Sequence, residues 1–205
     1  MNYLDFRRQF FDLGCFNIHQ IHAWDAGFDR NNLFRWTKKG LLLRLRAGYY
    51  TFPEYLHQPG FAQYVAGRIY RPSYISLHSA LSFYGIIPES VVQITSVSSL
   101  KTAAFKNAFG DFSYRNVKEE LMFGYEPKTT ADGRTFLLAT PEKALLDLLY
   151  LYPFYNDDAA MEDLRLDEAF MQDELDAERT GDYLNRFGSK ALDRRMTLLM
   201  NRYAL

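Results

Sequence analysis

The sequence predicts an α+β protein in two parts, a small N-terminal module of helices closed by a β-hairpin and a larger mixed α/β domain ending in helices. Three observations carry this. Apolar residues recur at helical spacing through the first 40 positions. The pattern changes to strand-like alternation at Val92-Gln93-Ile94-Thr95-Ser96-Val97, and helical spacing returns after Thr140-Pro141-Glu142. With 48% hydrophobic and 17% aromatic residues in 205, the chain can bury a sizeable core, which excludes a disordered protein.

In order, residues 3–13 read as a helix, with Tyr3, Phe6, Phe10 and Leu13 on one face and Gly14 as its stop. A second helix starts at Asn17, where Gln20 completes a capping-box pattern, and buries Ile18, Ile21 and Trp24. Ala26-Gly27-Phe28 is a turn. A third helix starts at Asp29, a good N-cap, and ends at Gly40. The runs 42–45 and 49–52 flank Arg46-Ala47-Gly48 as a hairpin. Three helices and then a hairpin is the order of a winged helix-turn-helix, assigned to residues 1–53.

Residues 54–71 read as a connecting helix and linker between Pro53 and Arg71-Pro72, and 72–205 as the α/β effector domain. Within it, 76–85 is helical, with Leu77, Leu81 and Tyr84 inward. Strands are expected at 92–97, 111–117, 121–125 and 135–138. A proline-started helix follows Thr140, and two more helices fall at about 160–178 and 181–203.

Charge is distributed unevenly. Residues 1–52 hold eight Lys or Arg and four Asp or Glu, a net of +4, whereas 156–182 hold eleven acids and two arginines, a net of −9. A basic N-terminal module can bind DNA despite an overall charge of −1. The acidic stretch reads as a solvated helix face. The lone cysteine, Cys15, excludes an internal disulfide and a Cys-rich zinc site, and a reducing cytoplasm is expected. No run approaches the roughly 20 apolar residues of a membrane span, and the charged stretch 1–11 is no signal peptide.

The third helix carries the most informative chemistry. Leu33, Trp36, Thr37 and Gly40 fall on one side, and Asn31, Arg35, Lys38 and Lys39 on the other. Arginine bonds guanine and asparagine bonds adenine in the major groove, while lysines at a helix end suit phosphates. Arg44 and Arg46 are placed on the wing, where arginine reaches phosphate or the minor groove. The expected DNA-contacting set is Arg30, Asn31, Arg35, Lys38, Lys39, Arg44 and Arg46. Phe34 and Trp36 read as packing residues.

Two stretches resemble a known family. Gly40-Leu41-Leu42-Leu43-Arg44 through Gly48-Tyr49-Tyr50 is similar to the pattern that closes the winged helix of AbiEi-like antitoxins. Pro72-Ser73-Tyr74-Ile75-Ser76-Leu77-His78-Ser79-Ala80-Leu81-Ser82-Phe83-Tyr84-Gly85, with Ile94-Thr95-Ser96-Val97 and Thr140-Pro141-Glu142-Lys143-Ala144-Leu145-Leu146-Asp147-Leu148-Leu149-Tyr150, resembles the effector core of the same family. The resemblance spans about 15–155. It implies the non-enzymatic antitoxin of a type IV toxin–antitoxin, abortive-infection module. Such a protein represses its own operon at inverted repeats of double-stranded DNA. Its functional partner is a nucleotidyltransferase toxin, not necessarily held in a stable complex. Related chains are solitary regulators. Independently of the resemblance, one winged helix has few base-reading side chains, so a dimer on DNA is expected.

Other constellations are weaker. His19 and His22 form a two-ligand spacing without a third ligand, so no metal is expected. His78-Ser79 lacks a glycine elbow. Glu142-Lys143 lacks the alternate spacing of a nuclease strand, and capping explains it better. Asp147, set among leucines, reads as a structural acid, either buried against an arginine or at a solvent edge. No cofactor is expected, since no phosphate-binding glycine loop is present. A metal-dependent nuclease using Asp111 or Glu142, and a protein-interaction module, remain as alternatives.

Overall fold

The computed structural model describes residues 2–89 and 91–203. It is a mixed α+β protein with two sheets.

The N-terminal part runs α1 (Tyr3–Phe10), β1 (Cys15–Asn17), α2 (Ile18–Trp24), α3 (Asn31–Lys38), β2 (Leu43–Arg46) and β3 (Tyr49–Thr51). The strands form an antiparallel sheet ordered β1-β3-β2. The first helix ends earlier than its apolar spacing suggests, because 11–13 tighten into a 3-10 turn before Gly14. Asn17 and Gln20 make the expected reciprocal capping box, at 3.0 and 2.9 Å. Gly48 closes the hairpin at φ +79, a region costly for residues with a Cβ. The core is aromatic. Phe6 lies 4.8 Å from Phe10, 5.6 Å from Phe28 and 4.7 Å from Trp36, centroid to centroid. Cys15 is buried, which pushes its thiol up to about 12.

The second part contains α4 (Phe61–Ile69), β4 (Ser73–Ile75), α5 (Leu77–Phe83), β5 (Ile94–Ser98), β6 (Ala103–Asn107), β7 (Gly110–Asn116), β8 (Tyr125–Thr129), β9 (Thr135–Ala139), α6 (Pro141–Leu151), α7 (Asp158–Glu162), α8 (Glu168–Asp173), α9 (Ala177–Phe187) and α10 (Lys190–Tyr203). Its sheet is ordered β6-β7-β5-β4-β9-β8, with β7/β5 and β4/β9 parallel and the other pairs antiparallel. The segment expected to connect the parts is itself packed. Phe61, Val65, Ala66 and Ile69 of α4 are buried, and the helix contacts β4 and β9.

The expected strand 121–125 is instead a 3-10 turn at Glu119–Leu121 followed by a bend, and β8 starts at Tyr125. The two expected C-terminal helices are four. Aspartates at 157, 167 and 176 each cap a new helix N-terminus, which divides the segment. Trp24, expected inside, is 40% exposed, because α2 ends at that residue and its ring lies edge-on to Phe10 at the surface.

Helix α6 is the centre of the second core. Residues 142–149 are all buried on it, including three that carry charge. Thr140 caps it by accepting the Lys143 N–H, as expected. Lys143 and Asp147 form an ion pair that is fully removed from solvent. The Tyr74 hydroxyl accepts from Lys143 Nζ at 2.9 Å and donates to Asp147 at 2.9 Å, and the Ser76 hydroxyl donates to Asp147 at 2.8 Å. Asp147 is therefore the buried acid, and its partner is a lysine one helical turn away rather than an arginine. Burial raises the Asp147 carboxyl, opposed by the ammonium, and lowers Lys143, opposed by the carboxylate.

Several side chains fasten the parts together, among them Tyr64, whose hydroxyl donates to the Leu13 carbonyl at 2.9 Å. Arg134, in the β8–β9 hairpin, donates to the Asp12 carbonyl and the Tyr55 hydroxyl. Asn107 donates to the Leu45 carbonyl, and Arg46 donates to the Ile69 carbonyl.

Candidate nucleic-acid interface

Helix α3 is anchored from one side. Leu33 and Trp36 are buried, and Asn31, Phe34, Arg35 and Lys38 are exposed opposite them, with Lys39 and Gly40 following at the helix end. Eight residues make a rod about 12 Å long, close to the width of a B-DNA major groove. The helix starts two residues later than its sequence suggests, but Asp29 still works at its entry by accepting the Asn31 N–H at 2.9 Å.

The expected contact residues divide into two groups. Asn31, Arg35, Lys38 and Lys39 share the outward side of α3 and its end, and Arg44 is exposed on β2. Arg30 is exposed at the α2–α3 turn, where its Nε donates to His22 Nε2 at 3.1 Å. This occupies one of the two histidines considered as a metal pair. Arg35 donates to the Asn32 side chain at 2.6 Å and lies 3.7 Å from the Asp29 carboxylate. Both ions of that pair are more than half exposed, so it is weak and readily exchanged for a phosphate or base. Among the described residues, Lys38, Lys39 and Arg44 have no carboxylate within 4 Å.

Arg46 does not join them. Strand alternation places Arg44 and Arg46 on one face, but the register shifts between them, with Arg44 opposite Tyr50 and Arg46 opposite Tyr49. The bulge re-aims the second arginine. Its guanidinium bonds the Ile69 carbonyl and lies over Tyr49, Tyr70 and Phe105 at 5.4, 5.5 and 4.8 Å. It is committed to the joint between the two parts.

Phe34 was expected to pack and does not. It is 71% exposed, in the middle of the basic side of α3. The signal was present in the sequence. A step of four residues turns a helix by only roughly 40°, so Phe34 shares a side with Lys38 and not with Trp36.

The other constellations separate. His78 faces the Tyr152 ring, whereas Ser79 donates to the Gln93 carbonyl, so the two do not form a nucleophile and base. Asp111 pairs with Lys106, and Glu142 lies beneath Arg179, accepting from the Asp176 N–H. Among the described residues, no three His, Cys, Asp or Glu are placed to hold a metal, and no helix is long and apolar enough to cross a membrane. Compared with known proteins, the chain matches no family model and no curated protein.

Proposed function

We propose that this chain is a DNA-binding transcriptional regulator whose N-terminal winged helix-turn-helix reads double-stranded DNA. The observation that carries the reading is the outward side of α3. An amide, a guanidinium, two ammonium groups and an aromatic ring project together from a short rod with an apolar anchor behind it. Four exposed cations, Arg30, Arg35, Lys38 and Lys39, lie on α3 or at its ends, and a fifth, Arg44, is exposed on β2. Arg35 and Asn31 suit base edges, and the lysines suit the backbone. The strongly acidic 156–182 segment repels phosphate, which favours approach at the N-terminal end.

One eight-residue helix reads few bases, so two copies on an inverted repeat supply useful specificity. The resemblance of the second part to an AbiEi-like effector core favours an antitoxin acting with a nucleotidyltransferase toxin and repressing its own operon.

The test is binding to the chain's own promoter across a salt series. Neutralising five phosphates gives a log–log slope of about −4.5, and Arg35→Ala with Lys38→Ala brings it to about −2.7 while weakening binding. Unchanged affinity and slope in the double variant would refute the assignment of α3.

A further inference from the structure

The two parallel strands in the middle of the large sheet, β4 and β9, pair only through Ile75 and Leu138. Ahead of that pair they are not laddered together, and a cavity of about 530 Å³ opens beside α4, at Ser73 on β4 and 135–137 on β9. This is within the range of small-molecule sites, roughly 300–1,000 Å³. None of the described residues that line it belongs to α3 or to the β2–β3 hairpin.

Its lining has an unusual balance. Met122, Phe136, Leu137 and the Tyr125 ring supply apolar and aromatic wall, and Arg68 and Arg71 bring two guanidinium groups to it. Among the described residues, no acidic side chain lines the cavity. Among the described residues neither arginine has a carboxylate within 4 Å. Arg71 is held by its Nε, which donates to the Gly67 carbonyl at 2.9 Å, and its two terminal nitrogens make no bond to protein. The Arg68 guanidinium lies 5.8 Å from the centre of the Tyr64 ring, at the same wall. Arg68 is in the last turn of α4 and Arg71 lies just beyond the helix end, so the two positive charges are three residues apart with no acidic side chain among the described lining residues. An apolar hollow beside two such donors favours a ligand with a flat apolar body and an anionic group that both guanidiniums can reach.

We propose that this cavity is a binding site for a small aromatic or apolar organic anion, with a carboxylate, sulfonate or phosphate held by Arg68 and Arg71 and its body against Phe136, Leu137 and Met122.

Anilinonaphthalene sulfonate, a monoanion with a phenyl and a naphthalene ring system, is a direct probe, with uncharged phenylnaphthylamine as its control. Titrated into the full-length wild-type chain, the sulfonate is expected to bind saturably at one per chain. The uncharged compound is expected to bind about tenfold more weakly, the value of one charge-assisted hydrogen bond. Replacing both arginines, Arg68→Gln with Arg71→Gln, should weaken the sulfonate by a similar factor or more and leave the uncharged compound unaffected. Leu137→Trp, which fills the hollow, should weaken both. Equal affinity of the two compounds for the wild type would overturn the proposal without any variant. Several sulfonates per chain, or none, would overturn it too.

Discussion

Removing the lysine from the buried Lys143–Asp147 pair should harm the protein far more than neutralising the aspartate. In Lys143→Met, the carboxylate keeps only the Tyr74 and Ser76 hydroxyls as donors and loses its counter-ion in a site closed to water. An uncompensated buried charge costs about 3–5 kcal/mol, a large share of the roughly 5–15 kcal/mol that holds a domain folded. In Asp147→Asn, the amide oxygen still accepts a hydroxyl. The lysine keeps the Tyr74 oxygen and lies 4.8 Å from the Phe123 ring centre and 4.6 Å from that of Phe187. Desolvated cation–π contacts reach about 2 kcal/mol and offset part of the loss of the carboxylate, so a cost nearer 2 kcal/mol is expected. The double variant removes both charges and should be at least about 2 kcal/mol better than the sum of the singles. Urea unfolding followed by circular dichroism measures all four proteins. Lys143→Met should lower the midpoint by about 1–2 M. A loss under about 1 kcal/mol in that variant, or simple additivity in the double, would refute the view that the pair is a mutually compensated buried charge.

Arg46→Ala should lower the unfolding midpoint, because it removes a bond to Ile69 and ring contacts between the parts, yet leave the salt slope of DNA binding as in the wild type. A shallower slope would return Arg46 to the interface. Phe34→Ala should change stability by no more than about 0.5 kcal/mol, as expected for an exposed side chain. It should weaken binding to a selected DNA site by about 1 kcal/mol, with the loss confined to a thymine, whose methyl group a phenyl ring can contact. Replacing that thymine by uracil should reproduce the loss in the wild type and add nothing in the variant. His78 is held below its ordinary value by burial, partly opposed by Glu89. The fold therefore favours the neutral ring, and the stabilisation this gives is present above the ordinary histidine range and lost as pH falls through and below it. Between about pH 7.5 and 5 the wild type should lose more stability than His78→Gln. Parallel decline of the two would exclude His78 as a contributor.

Much of the architecture was legible in the sequence because it depends on local chemistry. A capping box is closed by two residues three apart, so Asn17 and Gln20 announce α2 unaided. Thr140-Pro141 does the same for α6. The buried and exposed sides of α3 follow from the angle between successive residues. That angle also assigned Phe34 to the basic side, and the reading of it as a packing residue followed the habit of aromatic residues instead of its position. Among the strands without a sequence signal, β6 alternates in burial, but its residues Ala103-Ala104-Phe105-Lys106-Asn107 do not alternate between apolar and polar. β4 is buried at every position, and β1 spans three residues, so neither offers an alternation to read.

By itself, then, the sequence determined the order of helices and hairpin in the N-terminal part, the caps at Asn17 and Thr140, and the polarity of the basic side of α3, because each depends on residues within a turn or two of one another. Only the tertiary structure decided where Arg46 goes, what Asp147 pairs with, and that β4 and β9 part to leave a hollow beside two arginines. A bulge turned Arg46 toward a carbonyl 23 residues away. A tyrosine 73 positions from Asp147 completed its hydrogen bonds. Such outcomes depend on which distant surfaces packing brings together, and a one-dimensional pattern carries no record of that contact.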